Sequence, residues 1–214
     1  MDLQPLYEAV LEGNAKSTKS LVEQAIAEGV GPQQLLDEYL IPSMDEVGRR
    51  FEANEYFVPE LLIAARAMKG ALEIIRPLLV DSGTEAAGKV ALGTVRGDLH
   101  DIGKNLVGAM LEGGGFEVID LGVDVPPEKF IEAVRDQGAQ VIAMSALLTT
   151  TMPGMKTTIE ALNESGLRGN VKVMIGGAPV TQRYADEIGA DGFSDNASGA
   201  VRLCRSLVAA ETAG

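Results

Sequence analysis

The chain contains one histidine, and its neighbours make it a candidate for metal chemistry. It stands in Gly97-Asp98-Leu99-His100-Asp101-Ile102-Gly103-Lys104-Asn105. Asp98 can accept a hydrogen bond from one ring nitrogen, which fixes the tautomer and leaves the other nitrogen free to ligate a metal. Without such a neighbour, a lone histidine in a loop is simply a solvated side chain. A mononuclear site made only of protein ligands needs more donors than one histidine, and the chain has no clustered cysteines. A metal at His100 must therefore arrive inside a larger ligand that supplies the remaining donors. Two further short motifs follow, Ser145-Ala146-Leu147 and Gly176-Gly177. The first lies 41 residues (104–144) beyond Gly103, and the second lies 28 residues (148–175) beyond Leu147. Gly176 and Gly177 lack a Cβ, so backbone can approach a ligand closely there; a tight turn after a strand accounts for such a pair equally well. Gly103, Lys104 and Asn105 open a helix whose N-terminal N–H groups are free, but Gly97 to Gly103 does not fit a P-loop, which excludes an ATPase. Asp124-Val125-Pro126-Pro127-Glu128 has the form of a strand end and a proline-started helix.

The elements that must position these residues fall into two regions. Residues 1 to about 80 have helical patterning with no strand. Asn14 is an N-cap, Gly31-Pro32 opens a helix, and Pro42 is expected to kink or break it. Ser43 to Glu46 resembles a capping box that restarts it. Val58, Leu61, Ala65, Met68, Leu72, Ile75 and Leu79 recur at helical spacing and mark the last helix. Loop-formers at 81–88 suggest a linker. Beyond it, short Val- and Ile-rich runs at 89–95, 117–121, 140–145, 171–175 and 192–194 alternate with helical patterns near 102–113, 127–137, 153–165, 180–188 and 197–210. That alternation predicts a parallel sheet covered on both faces, with ligands bound beyond the carboxyl ends of its strands. The motifs fall at those ends, so residues far apart in sequence should converge.

Composition narrows the classes further. The 214 residues carry a formal net charge of -13, which repels phosphate backbones and argues against nucleic-acid binding. No apolar run reaches membrane-spanning length, and MDLQPLYEAV lacks a signal-peptide pattern, so the expectation is a cytoplasmic protein. Cys204, the single cysteine, excludes an intrachain disulfide and reads as a small buried apolar side chain.

Together, Asp-x-His-x-x-Gly, Ser-x-Leu and Gly-Gly at these spacings resemble the signature of the methionine-synthase type of cobalamin-binding domain. The stretch Glu55-Tyr56-Phe57-Val58-Pro59-Glu60-Leu61-Leu62, with Ala64 to Met68, resembles the helical cap found in methionine synthase and small corrinoid proteins. The resemblance implies a helical bundle cap over 1–86. A flavodoxin-like, doubly wound, parallel five-stranded, Rossmann-like cobalamin domain follows over 87–214. It implies base-off cobalamin with His100 as the lower cobalt ligand. Asp98 and Thr151, six positions after Ser145, complete a catalytic relay with His100 that takes up or releases a proton. It also implies cofactor contacts from Gly97, Leu99, Asp101, Ile102, Gly103, Ser145, Leu147, Thr149, Gly176 and Gly177. Phe57 and Leu61 are placed over the methyl-bearing face.

The function implied is that of a free-standing corrinoid protein in a three-component methyltransferase system, a non-autonomous subunit in one-carbon metabolism. Cobalt(I) accepts a methyl group from a donor-specific methyltransferase, and a second methyltransferase passes it to tetrahydrofolate or coenzyme M. A reductive activase is a further implied partner. Methoxylated aromatics, methanol, methylamines and betaines all remain open as donors. The competing readings are a light or cobalamin sensor, a mutase small subunit and a cobalamin storage protein. A sensor usually carries a DNA-binding module, and this acidic chain has no basic helix-turn-helix.

Overall fold

The computed structural model describes residues 2–81 and 87–212. The chain divides into two compact units, with the main boundary between Ala86 and Ala87. The linker expected at 81–88 falls largely outside the described residues.

The N-terminal unit is helical: α1 (Gln4–Leu11), α2 (Ala15–Ala27), α3 (Pro32–Leu35), α4 (Ile41–Glu52) and α5 (Val58–Asp81). Asn14 caps α2 by accepting the Ser17 N–H at 3.1 Å, and Pro32 starts α3. The long α5 packs against α2, α1 and α4, and its periodic residues Leu61, Ala65, Met68, Leu72, Ile75 and Leu79 are buried. The break expected at Pro42 does not form. A five-residue π-helical segment, Leu36–Leu40, joins α3 to α4, and the Ile41 N–H donates to the Leu36 carbonyl five residues back. This wider turn just ahead of the proline ring relieves its clash with the preceding turn. The expected capping box is also absent. The Ser43 hydroxyl donates backwards to the Leu40 carbonyl at 2.7 Å, and Glu46 instead accepts from Arg49 and Arg50.

The C-terminal unit alternates β1 (Lys89–Val95), α6 (Ile102–Gly113), β2 (Glu117–Val125), α7 (Pro127–Gln137), β3 (Val141–Ser145), α8 (Pro153–Glu164), β4 (Lys172–Gly176), α9 (Gln182–Ile188), β5 (Gly192–Ser194) and α10 (Ala197–Thr212). All neighbouring strands are parallel, in the order β2-β1-β3-β4-β5. Val90–Val95 is buried throughout, as a central strand covered on both faces must be. Ala91, Val95, Ile142, Met144, Val173 and Ile175 of the sheet share one apolar core with Phe130 of α7 and Met155, Ile159 and Leu162 of α8. Strand β2 runs four residues beyond its expected end at Leu121. Gly122 and Asp124, both turn-favouring types, interrupt its apolar pattern, and both have positive φ. The strand stays in the sheet through irregular pairing, Gly93 with Gly122 and Val95 with Val125.

In this order the chain leaves β1 toward opposite sides, and the crevice beyond the ends of β1 and β3 is the topological switch point where such sheets bind ligands. The segment 96–101 leaves β1 there, and the segment 146–152 leaves β3 beside it.

Candidate functional site

The site is built around a carboxylate. Asp98 has no exposed surface, although it lies in a loop. Its Oδ1 accepts the backbone N–H of His100 at 2.9 Å and lies 2.9 Å from His100 Nδ1. Its Oδ2 accepts the Leu147 N–H at 2.8 Å and the Thr151 hydroxyl at 2.6 Å. The loops after β1 and β3 are thus tied through one side chain. Burial by itself would push the Asp98 carboxyl upward. Hydrogen bonds from Thr151, from the backbone of His100 and Leu147 and from the His100 ring outweigh that and hold it well below the usual carboxylate range. An ionised carboxylate only accepts hydrogen bonds, so Nδ1 must carry the ring proton and the Nε2 lone pair is left free. The Thr151 hydroxyl also lies 2.9 Å from the Leu148 carbonyl, but it has one proton, and the shorter contact to the charged oxygen takes it.

Around this buried anchor several large apolar side chains are exposed beside polar ones. The imidazole of His100 is about half exposed, at 48%. Leu99 and Ile102 flank it in sequence and are 70% and 83% exposed, and Leu147, Leu148 and Val123 are also exposed at the same sheet edge. Large apolar side chains exposed together mark a binding surface. Gly97 takes φ +85, which turns the chain out of β1 toward Asp98. Asp101 is exposed and accepts from the Asn105 side chain at 3.1 Å, and Gly103 lies in the first turn of α6 with open space beside it. Ser145 is partly buried at the end of β3, and Thr149 is exposed in the loop that follows.

Gly176 at the end of β4 and Gly177 just after it owe their type first to the protein itself. A Cβ on Gly177 would come within 2.0 Å of the Ala146 carbonyl oxygen at φ +127, and one on Gly176 would meet the Ser194 carbonyl at 3.0 Å. In the cap, Phe57 is 60% exposed, whereas Leu61 is fully enclosed. Val58, counted in the periodic stripe, is exposed instead, and the exposed Leu62 and Ile63 were passed over because they lie off that stripe. Leu148, Val123 and Thr94 were missed as well, and Lys104 and Asp124 were read only as part of a helix opening and a strand end; their environment is made by strands far away in sequence.

Among the described residues, no group of three or more His, Cys, Asp or Glu side chains could hold a metal ion. One free imidazole nitrogen without further protein ligands does not suit a bare cation. It would suit a metal carried inside a larger ligand that supplies the remaining donors. Comparison with known proteins agrees. Residues 88–202 match the B12 binding domain family, and residues 3–76 match a second family with the same description. The chain is 45% identical to dimethylamine corrinoid protein 1 of Methanosarcina acetivorans over 97% of both chains. The chain belongs to the corrinoid proteins of methylamine and methanol methyltransferase systems.

This corrinoid protein also matches solved structures along most of its length. A cobalamin-binding protein from Desulfitobacterium hafniense is 34% identical, with a TM-score of 0.81, covering 97% of this chain and 98% of that one. The methanol:cobalamin methyltransferase complex MtaBC of Methanosarcina barkeri matches at 31% identity, with a TM-score of 0.83, over 96% of this chain and 78% of that one. The corrinoid protein binds cobalamin. No helix among its described residues is long and apolar enough to cross a membrane.

Proposed function

We propose that His100 is the lower cobalt ligand of base-off cobalamin in a corrinoid methyl carrier, and that Asp98 and Thr151 hold it for that task. The carrier function is that of the family. Bound corrinoid supplies a cobalt centre that takes up and releases a methyl group. The rest is done by the chain. Asp98, which accepts four hydrogen bonds, keeps the proton on Nδ1 and leaves Nε2 free. Thr151 donates its hydroxyl to Asp98 and so contributes to holding the charge there. Leu99, Ile102, Leu147, Leu148 and Val123 offer an apolar seat to a corrin face, while Gly97, Asp101, Gly103, Ser145, Thr149, Gly176 and Gly177 line the loop ends where the rest of the cofactor would be held. The observation that carries this reading is the four-fold anchoring of one buried carboxylate beside a free Nε2.

We further propose residues 1–86 as the cap and 87–214 as the cobalamin domain. The partners proposed are a donor-specific methyltransferase, an acceptor methyltransferase using tetrahydrofolate or coenzyme M, and a reductive activase. The first is supported by the assembly of a related chain in the MtaBC complex.

The deciding experiment is electron paramagnetic resonance of the cobalt(II) form, prepared from 15N-labelled protein and unlabelled cobalamin. Ligation by His100 gives a two-line nitrogen splitting from 15N, lost in His100→Ala. A three-line splitting would come from the cofactor's own base and would refute the assignment.

A further inference from the structure

Asp124 combines an unfavourable backbone with three contacts to one turn. It lies next to the end of β2 at φ 53, a left-handed conformation that non-glycine residues rarely adopt. Its Oδ1 accepts the Gly97 N–H at 2.6 Å. Its own N–H faces the Asp98 carbonyl at 2.9 Å and Thr94 Oγ1 at 3.0 Å. The Thr94 hydroxyl, fully buried, donates to that same Asp98 carbonyl at 2.6 Å. The Asp98 N–H closes the turn onto the Val95 carbonyl at 3.0 Å. Side chain and backbone of Asp124 therefore both hold the segment 94–98, with Asp124 in the left-handed conformation.

A second brace acts just past the histidine. Lys104, almost fully buried, places Nζ 2.5 Å from Asp120 Oδ1, which also accepts the Gly122 N–H at 2.9 Å. Strand β2 thus holds the chain before and after His100. Leu99, Asp101 and Ile102 between these braces are exposed and give the loop no apolar anchor of their own.

We propose that Asp124 is a positioning residue for His100: it sets the turn that presents Asp98, and through Asp98 it sets the ring, without touching the cofactor. The proposal rests on His100 being the cobalt ligand, and it requires the pairing of His100 with Asp98 to weaken when the grip on residues 94–98 is released.

His100 is the only histidine, so 15N-labelled protein without cofactor gives one pair of ring-nitrogen signals. At alkaline pH the wild-type pair should show protonated Nδ1 and bare Nε2. Asp124→Ala should shift both signals toward a tautomer mixture and weaken cobalamin binding about tenfold, the usual scale for residues that orient a metal ligand. Asp124→Asn keeps the side-chain oxygen and tolerates the left-handed backbone, and it should restore both readouts. If Asp124→Ala fails to fold, Thr94→Val, which deletes the hydroxyl linking Asp98 to Asp124, should shift the ring signals in the same direction. A folded Asp124→Ala protein with wild-type ring signals would overturn the proposal, as would an Asp124→Asn protein as impaired as the alanine variant. The ring signals need no cofactor, so they separate this outcome from a failure of His100 to bind cobalt, which the cobalt(II) spectrum reports.

Discussion

Asp98 carries an unusual load for one side chain, since two loops and a metal-ligand candidate depend on its carboxylate. Removing one donor shows how much. Thr151→Val keeps the shape of the side chain and deletes the 2.6 Å hydrogen bond to a buried, charged acceptor. The loss should be about 1.5–3 kcal/mol of stability, as for hydrogen bonds to charged groups. Urea unfolding of the cofactor-free protein measures it, and a change below about 0.5 kcal/mol, the level of ordinary surface substitutions, would show that Asp98 is held well enough without Thr151. His100→Ala should abolish histidine ligation, and because it also takes the ring N–H from buried Asp98 it should lower the unfolding midpoint of the cofactor-free protein. Cys204 behaves as its apolar surroundings dictate: burial pushes its thiol up to about 12, and it takes no part in the site.

At the scale of elements, the ends of the parallel strands do the positioning, and their packing tolerates little change. Gly177 must pass the Ala146 carbonyl at the end of β3. Gly177→Ala adds a Cβ at 2.0 Å from that oxygen and a side chain at φ +127. Overpacking and backbone strain together should cost about 3 kcal/mol or more, visible as a large fall in melting temperature or as insoluble protein. A variant with wild-type stability would contradict the close approach. In the cap, α4 carries Glu46 between Arg49 and Arg50. Their hydrogen bonds hold the Glu46 carboxyl down to about 2, from an ordinary value of 4.5. A lowered folded value stabilises the folded state above pH 4.5, and that contribution is lost as the pH falls toward 2. Both arginines are partly solvated, so it amounts to less than about 1 kcal/mol. Acid titration of Glu46→Gln against wild type should show the two stabilities converging as the pH falls from about 4.5 to about 2, and a constant difference across that range would exclude the effect.

At the scale of the molecule, a helical unit precedes a complete five-stranded α/β unit. If 87–214 is the cobalamin domain, that fragment expressed alone should fold and retain cobalamin through His100, and fragment 1–86 should retain none. Loss of cobalamin by the folded larger fragment would assign part of the binding energy to the cap. The sequence by itself determined a good deal here. Strand and helix order was legible because Val- and Ile-rich runs alternate with helical periodicity, and the candidate ligand was legible because one histidine stands two residues after an aspartate. Pairing of Thr151 with Asp98 was expected from the family pattern and is present. Other features required the tertiary structure. Pro42 reads as a kink or a break, yet the chain stays helical through a local widening just ahead of it. Leu61 is expected over the cofactor, and its enclosure by packing shows only in the fold. Asp124 reads as an ordinary strand end, yet its left-handed backbone and its grip on Gly97 and Asp98 exist only because β2 lies beside β1 in the sheet. Local patterning encodes which elements form, since propensity and periodicity act over a few residues. Which polar groups meet across loops 27 to 53 residues apart depends on strand order and register, and no short window of sequence contains those.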